Sequence, residues 1–168
     1  KKKVFSKGKK LGERLVGLYP NSAAARYWFL DNLGSWAEVY GTMAAAKEGV
    51  AGLMRDHANK IIEIDPNYSN GGGYFMLGAV HFKSPYIPFI LSWPSNDLAI
   101  KNLRKACSIG DSTPSQIVYL AQALFQDGQE DKAKNHLREL LKKPFSINEK
   151  VEDFDQHEIA KSLLEEWK

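Results

Sequence analysis

The side chains best suited to covalent or metal chemistry in this chain are four histidines and one cysteine, and their spacing supports neither. His57, His81, His136 and His157 fall on separate predicted helices, without the short intervals that metal ligands need. His157-Glu158 begins like a zinc-protease HExxH motif but lacks the second histidine one turn later. No GxSxG elbow, GxGxxG fingerprint or GxxxxGK[ST] phosphate loop is present. Asn70–Gly73 is glycine-rich, but it opens a helix rather than following a strand, so it reads as a flexible turn between repeats and not as a phosphate cradle. Cys107 has no partner for an intrachain disulfide and cannot build a zinc site alone; it reads as a buried structural thiol. No enzyme, no metal and no cofactor is expected.

The chemistry that remains is recognition by apolar surface. Ser84–Ser95 reads SPYIPFILSWPS, with Tyr86, Phe89 and Trp93 among Ile87, Ile90 and Leu91. Each aromatic ring can bury ~150–250 Å². At ~25 cal/mol per Å² the three together represent on the order of 10 kcal/mol of gross transfer energy, so the segment is expected to pack somewhere. It serves either as a cover over its own hydrophobic groove or as a site wall or subunit contact. Prolines at 85, 88 and 94 stiffen it, which favours a preformed surface over a mobile lid. The candidate ligand- or partner-binding residues are Tyr86, Phe89, Ile90 and Trp93, then Trp28, Tyr74 and His81. Of the first-helix aromatics Tyr27, Trp28, Trp36, Tyr40, Tyr74, Phe75 and Phe82, most are expected in the core and two or three in the groove.

The elements that hold these residues show a repeat. Shifting the sequence by 34 places Asp97 on Asp131, Ala99 on Ala133, Leu103 on Leu137 and Arg104 on Arg138. Two helices of 3.6-residue period separated by Gly128 fit between those marks. A period of about 34 with small residues at fixed places is the signature of tetratricopeptide-type helical hairpins. The fold expected is therefore all-α, a helical hairpin array or α-solenoid with a C-terminal capping helix. Residues 1–144 form the repeats and 145–168 the linker and cap.

Taken in order, residues 4–19 predict a helix with Val4, Leu11, Leu15 and Leu18 on one side, ended by Pro20. It resembles the second helix of a hairpin whose first helix would lie upstream of Lys1. Ser22 caps a helix through Tyr40, with Trp28, Leu33, Tyr40, Ala24 and Ala37 packing. Thr42–Ile64 follows, in a hairpin about eight residues too long for a standard repeat, so either long helices or an ordered loop near Ala44–Val50 is expected. Leu33-Gly34 and Leu77-Gly78 mark points where two helices approach too closely for a larger side chain. The insertion after Leu77-Gly78 exceeds the standard hairpin by about nine residues. Helices Ala99–Ile109, Pro114–Gln126 and Glu130–Lys142 follow. The last helix starts at Asp153 or Asp155, with Phe154, Ile159, Leu163, Leu164 and Trp167 apolar, and covers the array's open end.

Composition sets outer limits. The 168 residues are 43% apolar and 11% aromatic, enough to bury a core. Seven lysines and arginines against Glu13 crowd the first 14 residues, while the net charge is only +3, so the body behind them is acidic. A basic start can touch phosphate or anionic lipid, but with an acidic body it reads as a solvated helix end, and no nucleic acid is expected as a partner. The longest apolar run, Tyr86–Trp93, is too short to span a bilayer, and no secretory signal is seen within the sequence.

The segments YPNSAAARYWFLDNLGSWAEVYG, IIEIDPNYSNGGGYFMLGAVHFKSP and NDLAIKNLRKACSIGDS resemble the tetratricopeptide-like T components associated with TRAP transporters. The resemblance spans roughly Leu15 to Pro144. Its most specific part is a turn ending in glycines, an aromatic-x-x-Leu-Gly helix, a Ser-Pro apolar insertion and an Asn-Asp-x-Ala helix start. It implies an exported bacterial protein, usually a periplasmic lipoprotein, that works beside a TRAP-type solute-binding protein, with proposed ligand binding and, in some members, a trimer. Membrane attachment would then run only through an N-terminal lipid anchor upstream of Lys1. The expectation is a non-enzymatic periplasmic scaffold that docks a solute-binding protein and holds a small apolar or amphipathic ligand. The alternative is a general adaptor, periplasmic or cytoplasmic, that binds a peptide in its concave groove. Such a clamp needs Lys, Arg and Asn on the first helices, where Arg26 and Asn32 are the candidates.

Overall fold

The computed structural model describes residues 2–89, 91–147 and 149–168. Among them lie nine helices: α1 (Lys2–Leu18), α2 (Ala23–Tyr40), α3 (Thr42–Lys47), α4 (Val50–Ile64), α5 (Tyr68–Lys83), α6 (Asn96–Cys107), α7 (Pro114–Gln126), α8 (Glu130–Leu140) and α9 (Lys150–Glu166). The chain is all-α, as its periodicity requires. Helices α2, α5, α7 and α9 each touch the next to form one layer, and α1, α4, α6 and α8 pack behind them as the second. That is the two-layer arrangement of a helical hairpin array, in which each repeat buries its face against a neighbour.

Local signals explain most boundaries. Ser22 accepts the N–H of Ala25 and starts α2. Thr113 and Gln116 form a reciprocal capping box at α7, with Pro114 in the first turn. Asp65, which precedes Pro66, turns extended and ends α4. The long segment 42–64 is broken at Gly49, whose left-handed backbone separates α3 from α4, inside the window where a loop was expected.

Two cores result. One joins α2, α4 and α5 around Leu30, Leu33, Trp36, Ala58, Ile61 and Val80. The other joins α6 through α9 around Leu103, Leu120, Leu124, Leu137, Leu140 and Trp167. Phe75 packs against both. The capping helix is thus continuous with the second core, where Trp167 stacks on Phe125 at 4.0 Å between ring centroids and 8° between planes.

Several expectations need correction. In α1, Val4, Leu11 and Leu18 are exposed; of the expected residues Leu15 packs, together with Phe5, Gly12 and Val16. The reason is that α1 meets α2 through glycines: a Cβ on Gly12 would come within 2.9 Å of the Phe29 Cα, and one on Gly8 would run into the Asn32 amide. Trp28, expected as packing, is exposed, and Phe29 and Leu30 fill the core in its place. Leu77-Gly78 is a true close approach, but Leu33-Gly34 is not, since a Cβ on Gly34 would meet only Met54 Cε at 3.7 Å. The cap's buried stripe is Asp153, His157, Ala160 and Trp167, while Phe154 and Ile159 are exposed. Asp153 is a turn anchor: its carboxylate accepts the N–H of Ser146 at 2.6 Å.

The glycine-rich turn is also not flexible. Ser69, Asn70 and Gly71 adopt three consecutive left-handed conformations, an arrangement that costs the two non-glycine residues of order 1 kcal/mol each or more. Tertiary contacts hold it there. Gln116, almost fully buried, donates to the Asn70 carbonyl at 2.8 Å, and a Cβ on Gly71 would lie 3.1 Å from the Ala106 Cα.

Candidate functional site

The insertion between α5 and α6 is a small hairpin. Ile87 and Leu91 exchange both backbone hydrogen bonds, at 2.9 and 2.7 Å. Pro88 and Phe89 lie at the tip between them. Phe89 is fully exposed and its backbone is left-handed at φ 65°. An aromatic residue in that region is strained by about 1 kcal/mol or more. Tyr86, at the foot of the rising limb, is 64% exposed. The expectation that all three rings pack is therefore met only by Trp93, which lies against the first core.

The descending limb is fastened at several points. The Trp93 ring stands edge-on to His81 at 5.1 Å and 89°, and the Arg55 guanidinium lies over it at 4.6 Å. The Ser95 N–H donates to His81 Nδ1 at 3.3 Å, and the Ser95 hydroxyl accepts from Leu98 N to cap α6. Pro94 is buried between these groups. His81 is 8% exposed, and burial first, then the Arg55 charge, hold its pKa below the ordinary 6.5. It is therefore a neutral imidazole with its lone pair at Nδ1 and its proton on Nε2, because a backbone amide can only donate.

Beside this anchor is a polar cleft of ≈ 150 Å³, lined by His81, Ser84, Tyr86, Ser95, Asn96 and Gln126 among others. Asn96 donates to the Ala123 carbonyl at 2.9 Å. The cleft is below the ~300 Å³ at which sites for drug-sized ligands begin.

Of the sequence-derived candidates, Tyr86, Trp93 and His81 are brought together, and Phe89 projects beyond them. Ile90 lies outside the described residues. Trp28 and Tyr74 are not part of this group: Trp28 stands edge-on to Tyr27, and Tyr74 faces Lys105 of α6. Arg55, Ser95 and Asn96 were missed by sequence reasoning. Arg55 carries no local signal, while Ser95 was legible as the residue before a new helix.

Two further titratable groups, Cys107 and Tyr119, are moved away from reactive ranges. Burial raises the Cys107 thiol, and burial with the Glu38 charge pushes Tyr119 up to about 12. Tyr119 packs against Phe75 and Phe82 with the Lys83 ammonium 5.2 Å from its ring centre. Among the described residues no group of three or more His, Cys, Asp or Glu is placed to hold a metal, and no helix is long and apolar enough to cross a membrane. No protein-family model and no curated protein sequence matches the chain.

Proposed function

We propose that the chain is a non-enzymatic docking scaffold that presents the aromatic hairpin Tyr86–Phe89 to a partner protein. The observation that carries this reading is the Phe89 side chain: fully exposed, on strained backbone, at the tip of a hairpin whose base is fixed by His81, Trp93 and Arg55. A large ring held out in water on a pre-ordered support loses little entropy on burial, which suits a binding hot spot. A free chain end or a mobile loop would not retain such a conformation.

The setting proposed is the one implied by the resemblance to TRAP-associated T components. The protein would act in the periplasm, tethered through a lipid anchor, with a TRAP-type solute-binding protein as partner and a homo-oligomer, such as a trimer, as its assembly. The ligand-holding part of that reading has less support, because the cleft beside the hairpin is smaller than the sites that take drug-sized ligands.

The peptide-adaptor alternative is weakened by a specific feature. Arg26 donates twice to the Pro20 carbonyl and once to His57 Nδ1, and the Asn32 amide donates to the Trp28 carbonyl. Both candidate clamp residues are thereby engaged within the chain. Light scattering after size-exclusion, on the chain alone and mixed with a TRAP-type solute-binding protein from the same source, tests the proposal. A complex with the summed mass supports it; two unshifted masses over a wide concentration range contradict it.

A further inference from the structure

The hairpin's anchor contains a titratable group at its centre. His81 links α5, the descending limb and the start of α6: its Nδ1 takes the Ser95 N–H, its ring meets Trp93, and it is nearly sealed from solvent. Adding a proton at Nδ1 sets one N–H against another and removes the Ser95 bond. It also places a cation beside Arg55, whose guanidinium already covers the same indole.

The charged and titratable groups around His81 give that cation no partner. From α4 comes Arg55, already bonded to Asp56 at 3.1 Å on the exposed side. On α5 itself Lys83 lies over the Phe82 and Tyr119 rings. The insertion offers Ser84 and Tyr86, α6 offers Ser95 and Asn96, and α7 offers Gln126. Asp97 faces another groove, with Lys101, Arg104 and Asp127. From α2 the Glu38 charge acts on Tyr119, and among the described residues the charge that acts on the imidazole is that of Arg55.

We propose that His81 is a proton-operated latch on the hairpin: neutral, it fixes Trp93 and Ser95 and holds Phe89 in its docking pose; protonated, it releases the descending limb. This inference concerns the regulation of the proposed docking site and rests on that reading for its biological use, though not for its physics. By linkage, the released fraction rises about tenfold per pH unit as pH falls from 6.5, the value for a freely solvated histidine, towards the lower value of the latched state.

The test is NMR on the full chain, following the His81 imidazole, the Trp93 indole N–H and the exchange rate of the Ser95 amide, corrected for its intrinsic pH dependence. The result expected is one common midpoint below 6.5 for all three, well before global unfolding. His81→Asn, which keeps an acceptor near the Nδ1 position and does not titrate, should hold the limb closed over the same range. If Trp93 and Ser95 do not follow His81, or if the Asn variant releases with the same midpoint, the latch is wrong. Because the readout is limb order and not partner binding, failure of the docking reading would leave this result standing, and the reverse also holds.

Discussion

Gly78 and Leu103 stand closer than any side chain at position 78 would permit: a Cβ there would lie 2.6 Å from Leu103 Cγ and 3.1 Å from the Leu103 backbone nitrogen. This is where α5 and α6 cross immediately below the insertion, and it fixes the platform from which the hairpin rises. Gly78→Ala should destabilise the chain by about 1–3 kcal/mol through overpacking. Gly34→Ala, where the added Cβ makes only an ordinary contact with Met54 within a helix, should be neutral or stabilising by up to about 1 kcal/mol. Denaturant unfolding of the two variants checks both signs, and similar effects at the two sites would refute the distinction.

The Trp167–Phe125 stack is one of the contacts that hold the cap on the second core. Trp167→Ala removes the ring that covers Phe125 and should lower stability by about 3–5 kcal/mol. The loss should appear first as faster hydrogen exchange in α7, α8 and α9, because those helices share one core.

Gln116 is the buried polar tie between two repeats. Its side chain accepts from the Thr113 N–H at 3.1 Å and donates to the Asn70 carbonyl. Gln116→Leu leaves both backbone groups unsatisfied and should cost about 1–3 kcal/mol. It should also loosen the left-handed turn at Ser69–Gly71, measurable as increased proteolytic nicking there.

Acid should weaken the fold through His81 and the half-buried His57. His57 accepts a bond from Arg26, and its pKa, like that of His81, is lowered by burial first and a nearby arginine second. The folded pKa lies below the unfolded value near 6.5. Between the two, the unfolded chain binds more protons, so the contribution is complete above about pH 6.5 and is lost as pH falls towards the folded values. A stability-versus-pH curve should therefore slope downward on acidification in this window, and the double variant His57→Asn with His81→Asn should make the slope shallower, leaving the part due to His136, whose pKa burial and Arg104 also lower.

Much of the architecture was legible because it rests on local signals. The 34-residue spacing from Asp97 to Arg138, the Ser22 cap and the prolines at 20 and 66 fixed helices and turns without tertiary information. Errors arose where packing ran through residues with no side chain or with a polar one. Gly8 and Gly12 turned α1 to a face that its leucines do not show, and Asp153, His157 and Gln116 are buried at positions that a hydrophobicity pattern assigns to solvent. The insertion was recognisable as apolar surplus, but not its division into a pinned Trp93 and a projecting Phe89. That division depends on Arg55 and His81, which reach it from two other helices.

The central claim is that Phe89 docks a partner, and Phe89→Gly tests it most directly, since glycine relieves the left-handed strain while deleting the ring. Isothermal titration of the solute-binding protein into wild type and the variant should give at least tenfold weaker binding for Phe89→Gly, with thermal stability equal or higher. Binding of undiminished affinity by a stable Phe89→Gly chain would contradict the account.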